Sequence, residues 1–297
     1  MSGYRGKEKN PLTGKYPIVF NAKDGYYDQV VQLPCGQCIG CRLERSRQWA
    51  IRCMHEASLY DDNCFVTLTY DDQHLPADRS LNKRHLELFL KKLRKQFGAG
   101  IRFYLCGEYG ENFGRPHYHV CFFNLDFPDK VLWKVINGQR LYTSEKLAKI
   151  WGHGYVSIGS VTFESAAYVA RYILKKVTGK NADKHYQVYD IESGEIFDRL
   201  PEFTNMSRAS GIGKDWYKKY RSDVYPHDYV VVKGKTIKPP KYYDKLYEAE
   251  FPADHARLKI ARARKGRKFV DNNTPERLTV REQVQLAKLK SLPRTLE

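Results

Sequence analysis

Two histidines one residue apart, His117 and His119 in Arg115-Pro-His-Tyr-His-Val-Cys-Phe-Phe123, are the sharpest chemical signal in the sequence. In a β-strand, residues i and i+2 project from the same face, so both imidazoles would stand side by side as a mount for a divalent ion. Two surface histidines alternating with apolar residues would give the same pattern without chemistry, so the neighbouring residues must decide. The preceding run, Ile101 to Tyr109, offers Glu108 across a hairpin. Two imidazoles and one carboxylate leave coordination positions for water and a phosphate oxygen, and a cation held there would polarise and orient a scissile phosphodiester.

A second constellation lies in Glu164-Ser-Ala-Ala-Tyr168-Val-Ala-Arg-Tyr172-Ile-Leu-Lys175-Lys176. At about 100° per helical residue, Tyr172 falls about 40° from Tyr168 and Lys175 about 20° to its other side. Val169, Ala170, Ile173 and Val177 spread over about 100° to 200° on the same wheel. The spacing predicts an apolar stripe packed on a sheet, with both phenols and a lysine leaving from a separate face. A phenol with an ordinary pKa near ~10 is a weak nucleophile unless a metal-bound phosphate and a nearby cation assist it, and Lys175 is that cation. Attack on DNA would leave a 5′-phosphotyrosine and a free 3′-hydroxyl. A second tyrosine one turn away allows a second attack before the first product is released.

Three of the seven cysteines are packed as Cys35-Gly-Gln-Cys38-Ile-Gly-Cys41. The polar N-terminus carries no export signal, which points to a reducing compartment and away from a disulfide framework. The C-x-x-C steps suit a zinc turn that Gly36 and Gly40 let curl, making Cys35, Cys38 and Cys41 candidate structural zinc ligands. Cys53, His55 and Cys64 are the candidates for a fourth. Reduced structural thiols are the alternative, and a redox or iron–sulfur role is the weaker one.

The elements that must position these residues are legible from periodicity. Arg42 to Tyr60 has helical spacing with arginines between the apolar positions, Cys64 to Tyr70 reads as a strand, and Asn82 to Phe97 as an amphipathic helix stopped at Gly98. Ile101 to Tyr109 and His117 to Asn124 read as a hairpin with a wide loop. A short helix at Ser144 to Trp151, a strand at Tyr155 to Phe163 and a helix at Glu164 to Val177 follow. Strands and helices mix without a βαβ rhythm, so the expected class is α+β, helices packed on an antiparallel sheet, with a basic C-terminal extension. The expected organisation is an irregular or extended segment at 1–34, a catalytic domain at 35–180 carrying the cysteine cluster, and a basic, Tyr-rich region at 181–297. Leu278 to Leu292 reads as a further amphipathic helix.

The 297 residues hold 51 Lys+Arg against 34 Asp+Glu, a formal charge of +17, and 42% are hydrophobic. That much apolar residue can bury a core, so the charge sits on a folded protein and points to a polyanion, nucleic acid first. No stretch approaches the ~18 apolar residues of a membrane span. Arg257 to Lys268 is a candidate phosphate-tracking arm. The tyrosines of 215–220 and 242–247 are read first as core and second as base-stacking groups.

Taken together, Phe65-Val-Thr-Leu-Thr-Tyr70, Gly107-Glu-Tyr through Pro116-His-Tyr-His119, and Tyr168-x-x-x-Tyr172-x-x-Lys175 resemble the HUH endonucleases. Within them the chain is most similar to the replication initiators of microviruses of the gokushovirus type. Cys35-Gly-Gln-Cys38-x-x-Cys41-Arg, Ser210-Gly-Ile-Gly and Pro239-Pro-Lys-Tyr-Tyr243 are similar too. The resemblance implies His117, His119 and Glu108 as ligands of Mg²⁺ or Mn²⁺, with Glu111 as the alternative third ligand. It implies Tyr168 and Tyr172 as nucleophiles, with Lys176 as the alternative to Lys175. It also implies a nick at a phage origin that starts rolling-circle replication on single-stranded and replicative-form DNA in the host bacterial cytoplasm. No G-x-x-x-x-G-K-[ST] occurs, so a host helicase, polymerase and single-strand-binding protein are the expected partners. Two other readings use the same residues: a non-catalytic, zinc-stabilised nucleic-acid-binding protein, and a transposase or relaxase of the same superfamily.

Overall fold

The computed structural model describes residues 2–11, 14, 16–110, 114–171, 176–177, 182–189 and 194–290. The chain divides into two compact units, Met1–Glu44 and Arg45–Glu297. In the first, β1 (Ser2–Gly6), β2 (Ile18–Val19) and β3 (Gly25–Gln32) pair into an antiparallel sheet in the order β2-β1-β3. The extended backbone that Pro11, Pro17 and Pro34 suggest is therefore mostly paired, in a sheet whose β3 is largely exposed. Helix α1 (Ile39–Ala57) starts in this unit.

The second unit is built on one seven-stranded antiparallel sheet. Its strands are β4 (Asn63–Tyr70), β5 (Arg102–Tyr109), β6 (Pro116–Phe123), β7 (Val131–Ile136), β8 (Gln139–Thr143), β9 (Gly154–Gly159) and β12 (Phe203–Met206), in the order β12-β5-β6-β4-β9-β8-β7. A separate small hairpin is formed by β10 (Gln187–Tyr189) and β11 (Ile196–Asp198) beyond the short helix α5 (Ala182–Tyr186). The α+β class with helices on an antiparallel sheet is what the sequence predicts. The central strands read as nearly continuous apolar runs because both faces are covered.

On one face, Val66, Leu68, Leu105, Val120 and Phe122 pack against α2 (Lys83–Phe97) and α3 (Glu145–Trp151). On the other, Phe65, Tyr104, Cys106, Cys121 and Phe123 meet α1 and α4 (Phe163–Arg171). Helix starts follow side-chain capping: Asn82 accepts from the amides of Arg84 and His85, and Ser144 accepts from that of Leu147.

The C-terminal third forms its own core. Helices α6 (Lys214–Val224), α7 (Lys241–Glu250) and α8 (Pro252–Arg267), with the hairpin β13 (Val230–Val232) and β14 (Lys235–Ile237), bury Tyr217, Tyr225 and Tyr243 against Ile51 of α1. The tyrosines at 217 and 243 are thus core, as the first of their two readings holds. Helix α9 (Pro275–Lys290) is mostly exposed. Among the described residues, no helix is long and apolar enough to cross a membrane.

Candidate metal centre and its tyrosine

Strand register brings the site together. Glu108 of β5 sits directly opposite His117 of β6, which sits opposite Thr69 of β4. One step along, Cys106, His119 and Thr67 form the parallel row. Opposed residues project from the same face of the sheet, so Glu108, His117, His119 and Thr67 share the face that carries α4.

The Nε2 atoms of His117 and His119 lie 2.6 and 2.8 Å from the same oxygen, Glu108 Oε1. Each imidazole is held from behind. His117 Nδ1 lies 3.0 Å from the Arg115 carbonyl, which only accepts, so that nitrogen carries the hydrogen. His119 Nδ1 bonds the Thr67 hydroxyl at 2.9 Å. Phe65 stacks on the His119 ring, and Tyr168 meets it edge-on at 5.1 Å. His119 and Glu108 are each 1% exposed, so the site opens on the His117 side.

The donor set fits a cation on two counts. A neutral His117 with its hydrogen on Nδ1 presents a lone pair at Nε2, and a lone pair cannot sit 2.6 Å from a carboxylate oxygen unless an imidazolium proton or a cation lies between them. The second carboxylate oxygen, Glu108 Oε2, is buried with no hydrogen-bond partner among the described residues. Burial alone would raise the Glu108 carboxyl, but hydrogen bonds from His117 and His119 outweigh it and leave the group below its usual value. Buttressing of ligand imidazoles by a carbonyl and a hydroxyl is the arrangement that fixes ring orientation at metal sites.

Tyr168 is where the structure departs from the helical wheel. The spacing predicts a phenol on a face apart from the apolar stripe, yet Tyr168 is buried among Ala166, Val169 and Ala170. Its hydroxyl donates to Glu108 Oε1 at 3.4 Å. The reason is that α4 is enclosed on two sides: the sheet takes one, and α1 the other, where the Ser46 hydroxyl donates to the Ala167 carbonyl. The start of α4 is fixed by a reciprocal pair, the Thr162 amide to Ser165 Oγ and the Ser165 amide to Thr162 Oγ1.

The helix expected to reach Val177 is described to Arg171, and Lys176 and Val177 are not helical. The Val177 amide donates instead to the Tyr186 hydroxyl. Tyr172, Ile173, Lys175 and Glu111 lie outside the described residues, and Lys176 is exposed. Arg171, which the sequence does not single out, has its guanidinium carbon 5.8 Å from the Tyr168 ring centroid. Thr67 is a positioning residue that sequence reasoning misses, although it stands within Phe65-Val-Thr-Leu-Thr-Tyr70. Its signal is the strand register opposite His119, which one strand's spacing cannot reveal.

Cys35, Cys38 and Cys41 come together, with every pair of sulfurs within 4.8 Å. Amides of Cys38 and Gln37 bring the Cys35 thiol down to about 6. The candidate fourth ligands are engaged elsewhere: Cys53 and Cys64 are buried in the two sheet cores, and His55 Nδ1 bonds Tyr243 Oη at 2.9 Å.

The model of a family of replication-associated proteins, named for the ORF2 protein, matches residues 63–177, which span β4 to the end of α4 and so contain the whole site. The chain is 38% identical to replication-associated protein VP4 of Bdellovibrio phage phiMH2K, over 74% of this chain and 68% of that one. It is 37% identical to replication-associated protein ORF2 of Spiroplasma virus 4, over 74% and 68%. With replication-associated protein ORF4 of Chlamydia phage 1 it shares 31% identity, over 75% of this chain and 56% of that one. No solved structure matches the chain.

Proposed function

This chain belongs to the family of microvirus replication-associated proteins, and we propose that it starts rolling-circle replication by nicking single-stranded DNA at the phage origin and later rejoining it. The observation that carries the reading is the convergence of His117 Nε2, His119 Nε2 and Glu108 Oε1, with the Tyr168 hydroxyl against the same carboxylate.

His117, His119 and Glu108 would hold Mg²⁺ or Mn²⁺, which when bound supplies Lewis-acid polarisation of the scissile phosphate. Thr67 and the Arg115 carbonyl keep both imidazoles turned toward that position. Tyr168 attacks phosphorus: the Oη–P bond forms, the P–O3′ bond breaks, and the phenolic proton leaves as the 3′-oxygen gains one. The product is a 5′-phosphotyrosine beside a free 3′-hydroxyl. Tyr172 serves as the second nucleophile and Lys175 as the cation that stabilises the phenolate, in keeping with their spacing from Tyr168 and the family resemblance. Because the phosphodiester energy is kept in the tyrosyl ester, attack by a 3′-hydroxyl reverses the step and seals a strand. The DNA partners are single-stranded and replicative-form phage DNA in the host cytoplasm, with host helicase, polymerase and single-strand-binding protein completing replication.

The test is an origin-bearing single-stranded oligonucleotide incubated with protein and Mn²⁺. The expected result is an SDS-resistant protein–DNA adduct that disappears on chelation and in Tyr168→Phe/Tyr172→Phe. His117→Ala should abolish the adduct while keeping salt-sensitive DNA binding. An adduct that survives the double tyrosine substitution would overturn the reading, as would DNA binding with no adduct at all, which is how a non-catalytic binding protein behaves.

A further inference from the structure

The three clustered cysteines are separate from the site above and play no part in its chemistry. Cys35 and Cys41 sulfurs lie 4.0 Å apart, far outside the ~2.05 Å of a disulfide. The Cys38 amide donates to Cys35 Sγ at 3.2 Å, and Gly36 at φ +74° allows the turn that brings it there. Cys41 lies in the first turn of α1, where unpaired amides favour negative charge. Tetrahedral coordination with metal–sulfur bonds of about 2.3 Å sets sulfurs about 3.8 Å apart, close to the spacing here. A cubane iron–sulfur cluster binds each cysteine to a different iron and so needs them farther apart.

We propose that Cys35, Cys38 and Cys41 bind one zinc ion through three thiolates, with the fourth position taken by water or an exogenous ligand. No fourth His, Cys, Asp or Glu among the described residues joins the cluster. Binding replaces thiol protons with the metal and releases them to solvent. Full-length protein purified without chelator should contain one zinc per chain by elemental analysis. His117→Ala/His119→Ala should leave that zinc in place, and Cys35→Ser/Cys38→Ser should lose it. Cobalt exchanged into the wild-type protein should give thiolate charge-transfer and tetrahedral d–d bands, a readout that does not depend on the variants folding. Iron with acid-labile sulfide, a disulfide between these cysteines, or metal-free thiols in the purified protein would each overturn the assignment.

A second inference follows from a different observation and rests on the nicking reading. The register row Glu108–His117–Thr69 continues one strand further to Tyr155 of β9, which is 69% exposed on the same face. At about 4.8 Å per strand it stands about 10 Å from His117. A cleft of about 550 Å³ lined by Thr67, Thr69, Tyr155, Ser157, Trp133 and Lys134 runs from there to the edge strand β7, where Trp133 is 57% exposed and carries the Lys134 ammonium 3.9 Å from its ring centroid. Thr67 also lines a second cleft, with Arg140. Aromatic rings beside cations, continuous with a phosphate-cleaving centre, suit unpaired bases on a backbone.

The geometry points to Tyr155 and Trp133 as a stacking platform for single-stranded DNA next to the scissile phosphate. The test is anisotropy of a fluorescent single-stranded oligonucleotide in EDTA, which removes cleavage. Tyr155→Ala should weaken binding about tenfold with an unchanged salt slope, Tyr155→Phe should keep it, and Lys134→Ala should shallow the slope. Wild-type affinity in Tyr155→Ala together with Trp133→Ala would overturn the platform even if the covalent adduct forms. Weakened binding without any adduct would leave the platform standing and remove the nicking reading.

Discussion

At the level of single side chains, the site depends on residues that never touch substrate. Thr67 holds His119 through Nδ1, and such buttressing interactions are worth roughly 10- to 100-fold in metal affinity. Thr67→Val keeps the shape and removes the hydroxyl, so the Mn²⁺ concentration giving half-maximal adduct should rise by about that factor with thermal stability nearly unchanged. An unaltered Mn²⁺ dependence would show that His119 needs no orienting partner. His55 supplies the pH response. Burial takes its imidazole from 6.5 down to about 3, where it stacks on Trp216 and bonds Tyr243 as a neutral ring. The unfolded chain takes up a proton that the folded state refuses, so stability is intact above pH 6.5 and is lost as pH falls from there toward 3. The slope from this one group is at most about 1.4 kcal/mol per pH unit. Urea midpoints between about pH 7 and about pH 4.5 should fall less steeply for His55→Gln than for wild type, and identical slopes would assign the acid sensitivity to other groups.

Between elements, one buried ion pair joins the sheet to the C-terminal third. Glu56 of α1 pairs with Arg102 of β5, and its other oxygen accepts the Gly213 amide at 2.6 Å. Arg102 also donates to the carbonyls of Ala209 and Ser210 at 2.9 and 2.5 Å. The Ser210-Gly-Ile-Gly segment is therefore a latch, and Gly213 at φ +77° has no room for a side chain beneath the Tyr243 hydroxyl. Removing one partner strands the other charge, so Glu56→Ala should cost about 3 to 5 kcal/mol in denaturant unfolding. A loss under about 1 kcal/mol would mean that water replaces the carboxylate there. Element positions were largely legible: the helix at Asn82 to Phe97 and the 101–124 hairpin fall within a residue or two of their expected bounds, because caps and turn residues act locally. The hairpin of β7 and β8 and the edge strand β12 were not read, since exposed or half-buried strands lack the apolar runs that mark the central ones.

For the molecule as a whole, the +17 charge is the broadest feature and the least specific. Helix α8 carries exposed Arg264, Lys265 and Arg267, while Arg262 in the same helix is tied to Asp228 and Asp244. One helix thus holds both structural and solvent-facing cations. Replacing Arg264, Lys265 and Arg267 by Gln should shallow the salt dependence of single-strand binding by roughly 0.7 for each phosphate no longer neutralised, with the cleavage position unchanged. A shifted cleavage position would give this helix a role in sequence selection instead.

By itself the sequence determined the residue types: two imidazoles spaced for one strand face, a carboxylate in the preceding strand, a tyrosine pair at helical spacing, and three cysteines in one turn. These are local facts, set by periods of about two residues in a strand and about 3.6 in a helix. Only the tertiary structure decided which face each group uses. Cross-strand register put Glu108 opposite His117 and Thr67 opposite His119, and docking of α4 between sheet and α1 turned Tyr168 inward to that carboxylate. Helical periodicity gives the angle between side chains on one element but not what lies outside it. Burial and register come from residues far apart in the chain, and in this protein they make a strand pair and a helix into one site.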